Sequence, residues 1–307
     1  MTIAFLHSHR AFLPEINAYT RFFGDYGIKT RSCSREEKNQ PRADVEWRLM
    51  GSAVSNKKKE IVSIHEYSSC SMPPFQKLKD LSKKWFNAKP DYRLFLNDYV
   101  MQQFNFSDKV PYGLRDMGVY PTLPESGKNK SIIKEYDFIY AGSAEKERKL
   151  EKLVNCFTKN GLVGHTLLIL SKNYERLAEK YKSFPTIRFK GPVSHEEALE
   201  QISKAKFAIN YTTDRAPFSQ QTSTKFLEYA ALKIPIITTE YAWVKEFQSH
   251  LGGNFFYLSN DLSNFSWQQV NGFNYSFPEL KEWTWEKQIR KSGVLEFLES
   301  KFPGLHF

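Results

Sequence analysis

Short apolar runs alternate with amphipathic stretches along most of the chain. Ile3–His7, Ile28–Ser32, Val45–Met50, Ile61–His65 and Tyr92–Leu96 have strand length, and Leu13–Phe23 and Phe75–Phe86 between them repeat apolar positions at helical spacing. Residues 120–137, YPTLPESGKNKSIIKEYD, are rich in Pro, Gly, Ser and Lys and predict a linker. A second series follows, with strands predicted at Phe138–Gly142, Thr166–Leu170, Ile187–Lys190, Phe207–Tyr211, Ile234–Thr238 and Phe255–Leu258. Helices are predicted at Glu145–Lys159, Tyr174–Tyr181, His195–Lys204, Ser223–Leu232 and Ala242–Ser249. Strand–helix alternation on both sides of a linker predicts an α/β protein with two Rossmann-like, doubly wound domains. A length of 307 residues also suits two cores better than one. The expected bounds are 1–122 and 123–282, with 283–307 as a C-terminal helix. A cleft between two such domains is the expected place for a ligand, because the carboxyl ends of parallel strands open there.

Composition narrows the class. With 41% hydrophobic and 25% charged residues the chain is of ordinary globular type, and 25 Phe and 16 Tyr promise aromatic cores. No apolar run nears the ~20 residues of a membrane span, and the opening MTIAFLHSHR lacks the basic region of a signal peptide. Cys33, Cys70 and Cys156 are far apart and form no Cys-x-x-Cys pair, which argues against a disulfide framework or a structural zinc and suits a reducing cytosol. The net charge of +10 is weighted to the first 120 residues, around Lys57–Lys59 and along Lys77, Lys79, Lys83, Lys84 and Lys89. Such a face attracts an anionic membrane, a phosphorylated acceptor or nucleic acid, or is simply solvated. No recognisable base-reading module accompanies the basic residues, so nucleic acid is not the expected partner. Residues 73–90 mix Lys with Phe and Trp, a pattern that fits either a membrane interface or a core-packing helix with a wet face.

The densest candidate chemistry lies in QQTSTKFLEYAALKIPIITT, residues 220–239. Thr222, Ser223, Thr224 and Lys225 stand where a helix begins, and the free N–H groups of a helix N-terminus favour a diphosphate. One turn on, Glu228 is spaced to accept hydrogen bonds from a ribose diol. The same residues also suit an N-cap and an ordinary amphipathic helix with Glu228 on its surface.

Four segments together carry a resemblance: FIYAGSAEKERKLEKLVNCF, TIRFKGPVSHEEALEQISKAKFAINYTTD, QQTSTKFLEYAALKIPIITT and WTWEKQIRKSGVLEFL. In order and spacing they resemble the C-terminal half of the family-four retaining glycosyltransferases. That family has the GT-B fold, two facing Rossmann-like domains with a nucleotide-sugar in the cleft and a last helix returning to the first domain. The resemblance makes Glu228 the ribose ligand, and puts Gln220, with Gln221 beside it, where the first glutamate of the family's pair is usual. It places Thr222–Lys225 at the diphosphate, Ser143 where an arginine is usual, and Lys149 with Arg148 as the cations of the leaving group. In IVSIHEYSSCSMPP it assigns His65 to the reaction centre, with Glu66 contacting the acceptor or positioning His65. The family's glycine-rich loop after the first strand is replaced by HSHRAFLPE, whose His9 and Arg10 are candidate acceptor contacts.

The resulting expectation is an enzyme moving a sugar, with retention, from a UDP- or GDP-type donor to a saccharide or lipid-linked glycan. Bacterial lipopolysaccharide or capsule-type acceptors, handled in the cytoplasm at the inner face of the inner membrane, fit the basic face. The sequence carries no acidic metal motif, so no metal or other cofactor is expected. Rival readings are a nucleotide-sugar epimerase on the same scaffold, and a glycan-binding relative without catalysis, prompted by Gln220 and Ser143.

Overall fold

Every side chain from Ile3 to His7 is buried, which requires a strand covered on both faces and therefore helical layers on each side of its sheet. The computed structural model describes residues 1–8, 13–34, 42–51, 60–71, 75–120, 132–144 and 148–307. His9, Arg10, Lys57–Lys59 and most of the expected linker lie outside these. The chain divides into two units, Met1–Gly118 with Glu282–Phe307, and Val119–Lys281.

In the first unit, Thr2–His7 (β1), Lys29–Ser34 (β2), Val45–Leu49 (β3), Val62–Tyr67 (β4), Tyr92–Phe95 (β5) and Tyr112–Leu114 (β6) form one parallel sheet in the order β2-β1-β3-β4-β5-β6. Its helices are Pro14–Asp25 (α1), Gln76–Phe86 (α2) and Asp98–Phe104 (α3). The polar strand β2, KTRSCS, takes an edge, as exposure demands. Alternation along β4 and β5 sends Ile64, Tyr92 and Leu94 into a core with Phe5, Tyr19, Phe23 and Trp47. The opposite face sends Tyr67 and Phe95 against Val100 and Phe104 of α3.

The second unit contains Tyr136–Ala141 (β7), Leu167–Leu170 (β8), Ile187–Lys190 (β9), Ala205–Asn210 (β10), Ile236–Thr239 (β11) and Phe256–Leu258 (β12), all parallel. Their order, β12-β11-β10-β7-β8-β9, reverses direction between β7 and β10. In open α/β sheets ligands bind beyond the carboxyl ends of the strands at such a reversal. The helices are Leu150–Val154 (α4), Cys156–Lys159 (α5), Glu175–Lys180 (α6), His195–Ser203 (α7), Thr224–Ala231 (α8), Ala242–Leu251 (α9) and Trp267–Asn271 (α10).

The C-terminal segment returns to the first unit as two helices, Trp285–Arg290 (α11) and Val294–Lys301 (α12), where one was expected. Gly293, at φ 71°, makes the break, a conformation that side chains with a Cβ resist. Ile289, Val294, Leu295 and Leu298 complete the core around Phe5 and Ile64.

Candidate functional site

Two hydrogen-bonded anchors fix α8 over the reversal of the second sheet. Ser223 caps the helix, accepting from the Phe226 N–H, and donates through the same hydroxyl to Asn210 Oδ1 at 2.8 Å, at the end of β10. Tyr229 places its hydroxyl against the end of β7, accepting from the Ala141 N–H at 3.0 Å. Burial keeps that phenol neutral, well above the ordinary tyrosine range. The first turn of α8 is thus held beside β7 and β10, and the N–H groups of Thr224 and Lys225 precede its first intrahelical bond, from Leu227 N–H to Ser223 carbonyl. Ser223 itself is occupied as cap and anchor, so the diphosphate donation expected of its hydroxyl gives way to those two tasks.

Glu228 is buried one turn in, and both its oxygens are engaged. Lys225 Nζ donates to Oε2 at 2.6 Å, and His195 Nε2, from the first position of α7, lies 3.1 Å from Oε1. Burial pushes the Glu228 carboxyl up, but the Lys225 charge and the hydrogen bonds from His195 and Lys225 outweigh it, leaving the group below the ordinary carboxylate value and ionised. Each oxygen has a second lone pair, so the carboxylate retains capacity for ribose hydroxyls. The full positive charge expected of Lys225 at a diphosphate is instead largely committed to Glu228. His195 was not singled out by sequence reasoning. It meets Glu228 only through the packing of α7 against α8, across a separation of 33 residues.

The helix expected from Glu145 begins at Leu150; residues 145–147 lie outside the described set. Arg148 and Lys149 therefore precede the helix and do not line its face. Lys149 is exposed at φ 51°, a left-handed conformation uncommon for a residue with a side chain, and stands where α4 starts. The Arg148 guanidinium lies 4.4 Å from the centre of the Phe218 ring, which brings it to the short 3₁₀ turn Phe218–Gln220. The structure thus joins the segment after β7 to the Gln220 turn. Ser143 accepts at its carbonyl from the Tyr140 hydroxyl at 2.7 Å, which tightens the end of β7. Gln221 Nε2 is buried and has no acceptor among the described residues, so a donor is available next to Thr222.

The first unit gives its two predicted residues different surroundings from those expected. Strand β4 runs to Tyr67, so His65 is internal to it and fully buried, its ring edge-on to Tyr67. Glu66 points to the opposite face into an enclosed polar cluster. It pairs with Arg115 and accepts from Trp47 Nε1 at 2.7 Å, Tyr19 hydroxyl at 3.0 Å and Ser68 hydroxyl at 3.3 Å. Its carboxylate is committed there, and Glu66 is not carried forward as an acceptor contact. Glu15 completes the cluster, accepting from Ser68 at 3.0 Å. Burial raises its carboxyl, and the Arg115 charge, countered by that of Glu66, only partly offsets this.

Two six-stranded parallel sheets, each with its own helices and with the last helix returning to the first unit, constitute the GT-B fold. Solved structures similar over nearly the full length include AviGT4, a glycosyltransferase involved in avilamycin A biosynthesis (12% identity, 98% of this chain and 96% of that one, TM-score 0.59). Sucrose-phosphate synthase from Thermosynechococcus elongatus is similar at 11% identity over 98% of this chain and 100% of that one, with a TM-score of 0.62. The UDP-GlcNAc 2-epimerase of Methanocaldococcus jannaschii, solved with UDP-GlcNAc and UDP, shares the fold at 14% identity over 97% and 100%, with a TM-score of 0.56. No protein-family model matches the sequence, and no curated protein sequence matches it.

Proposed function

We propose that the chain is a glycosyltransferase that moves a sugar from a nucleoside-diphosphate donor to a glycan acceptor. The observation that carries this reading is Glu228: an ionised, buried carboxylate one turn inside a helix that opens at the strand reversal of the second sheet. A carboxylate there accepts from the ribose hydroxyls, while the amide groups of the first turn and the Gln221 amide donate to the diphosphate. Arg148 and Lys149 supply positive charge to the leaving group, and Gln220 with the hydroxyls of Thr222 and Thr224 contacts the donor. Ser143 stays with the donor end on the strength of the family resemblance, whereas His65, fully buried inside β4, is given no contact to the sugar. We read the transfer as retaining. The acceptor oxygen bonds to the anomeric carbon on the face the diphosphate leaves, and the acceptor proton passes to the departing phosphate oxygen. Stabilising that developing charge with fixed cations and amides is the main catalytic device, and the reading calls for no metal or other cofactor. A UDP or GDP donor, and a lipopolysaccharide or capsule-type acceptor handled at the inner face of a bacterial inner membrane, complete the reading.

Calorimetric titration with UDP and GDP and a donor-turnover assay test it. Glu228→Ala should weaken binding of the preferred nucleotide by about tenfold to a hundredfold, from the loss of charge-assisted hydrogen bonds. Lys149→Ala should lower turnover by about a hundredfold with a smaller effect on nucleotide affinity. Unchanged values in both variants would overturn the assignment. The epimerase reading is kept because an epimerase shares the fold. It predicts an isomerised donor when the chain is given nucleotide-sugar alone, whereas transfer predicts turnover that rises with acceptor. A non-catalytic relative would bind glycan and release no nucleoside diphosphate.

A further inference from the structure

Helix α2 is inside out. Its inward side is polar: Asp80 is buried, accepts from the Ser71 N–H at 3.0 Å and pairs with Lys83 at 3.6 Å. Lys83 donates to the Ser71 hydroxyl at 2.9 Å, and Lys84 to the Asn105 carbonyl at 2.5 Å. The outward side carries Leu78, Leu81 and Trp85 at 63%, 48% and 74% exposure, spaced as one helical stripe, with Phe75 and Phe86 at its two ends. These make up half of the large apolar side chains exposed among the described residues. A core-packing helix would show the reverse arrangement, so the core-packing alternative left open by the sequence pattern does not apply.

We infer that α2 docks the first unit on an anionic lipid surface, with its apolar stripe in the headgroup region and the exposed Lys79 and Lys89 among lipid phosphates. Residues 75–89 hold five lysines, Lys77, Lys79, Lys83, Lys84 and Lys89, against a single acidic residue, Asp80, which is turned inward and paired. This charge complements an anionic surface. A second copy of the chain would bring like charges together around its own stripe, which disfavours a symmetric pair. The shape of the stripe points the same way: side chains standing out from a convex helix suit a continuous apolar medium. At about 16 Å the helix lies in the interface and does not span it. Trp85 is the residue type that anchors at that depth. The inference develops the membrane part of the proposed function and is independent of the transfer chemistry.

The test is sedimentation of the full chain with vesicles of phosphatidylcholine alone or mixed with phosphatidylglycerol. The wild type should bind the mixed vesicles, bind pure phosphatidylcholine far more weakly, and lose affinity as salt rises. Leu81→Ser/Trp85→Ser should reduce binding by about tenfold or more without lowering the melting temperature, since both side chains face outward. Lys79→Glu/Lys89→Glu should weaken binding to mixed vesicles specifically. Binding by the double serine variant equal to wild type, binding indifferent to phosphatidylglycerol, or a wild type that ignores vesicles yet forms a dimer the serine variant abolishes would each overturn the inference. Donor turnover on a soluble acceptor should be equal in wild type and serine variant. A chain that binds vesicles through α2 but turns over no donor would leave the docking surface standing and overturn the transfer reading.

Discussion

Lys225 and His195 hold Glu228 ionised in a buried position. Its depressed carboxyl makes it a source of stability whose sign with pH is fixed. A carboxyl held below its unfolded value contributes fully above that value, 4.5, and loses the contribution as pH falls through the folded value. Glu228→Gln should therefore melt lower than wild type at about pH 7, by an amount corresponding to ~1 kcal/mol. The gap should narrow as the pH is lowered below 4.5, through the depressed folded value. Differential scanning calorimetry across that range measures it, and a gap that stayed constant or widened in acid would contradict the assigned direction. The position of Glu228 was legible in the sequence, from its spacing behind a hydroxyl cluster. Its partners were only half legible. Lys225 is three residues away on the same helix, whereas His195 reaches it through the meeting of two helices, which no local pattern encodes. Ser223 illustrates the opposite difficulty: one hydroxyl suits both a ligand and a cap, and only the position of Asn210 decides between them.

At the scale of elements, apolar runs were readable because parallel strands are buried on both faces, so β1, β7 and β8 stand out from composition alone. The short edge strand β6, Tyr-Gly-Leu, has no such run, and its reason for existing lies elsewhere in the chain. A Cβ on Gly113 would fall 1.8 Å from the Ser292 carbonyl oxygen and 2.8 Å from the Tyr92 hydroxyl, which itself donates to that carbonyl at 2.9 Å. Gly113 thus admits the turn between α11 and α12 to the sheet edge. Gly24, exposed in α1, has nothing within 4 Å of a built Cβ and needs no special backbone conformation. The two glycines should respond oppositely to alanine. Gly113→Ala should destabilise the protein by about 1–3 kcal/mol through overpacking, whereas Gly24→Ala should stabilise it by up to about 1 kcal/mol through helix propensity. Melting temperatures of both variants against wild type decide it, and a neutral Gly113→Ala would refute the close approach. The break at Gly293 follows the same logic: WEKQIRKSGVLEFL keeps an apolar helical rhythm across a residue that the chain uses to turn.

For the whole molecule, the order of strands in each sheet is a non-local property, and the sequence showed alternation without showing where each sheet reverses. Nor could hydrophobic spacing tell that α2 faces outward, since the stripe Leu78, Leu81, Trp85 is the same whichever side it turns to; Asp80 and the residues that satisfy it decide the matter. The return of residues 282–307 to the first unit has the largest energetic consequence. Ile289, Val294, Leu295 and Leu298 are buried there, and Phe307 packs on Phe22, Phe23 and Tyr26. At the usual 1.5–3 kcal/mol per buried side chain, the four aliphatic residues alone stabilise the first unit by about 6–12 kcal/mol. That matches the entire net stability of about 5–15 kcal/mol typical of a domain. A chain ending at Lys281 should consequently lose the first unit's packing while the second unit, with its own core around Phe138, Leu153, Ile169 and Ile209, stays folded. Hydrogen exchange read by mass spectrometry separates the two. Amides of β1 to β5 should exchange at unfolded rates in the truncated chain, and those of β7, β8 and β10 should keep their protection. Protection retained in β1 and β4 would mean that the first six strands carry their own core without α11 and α12.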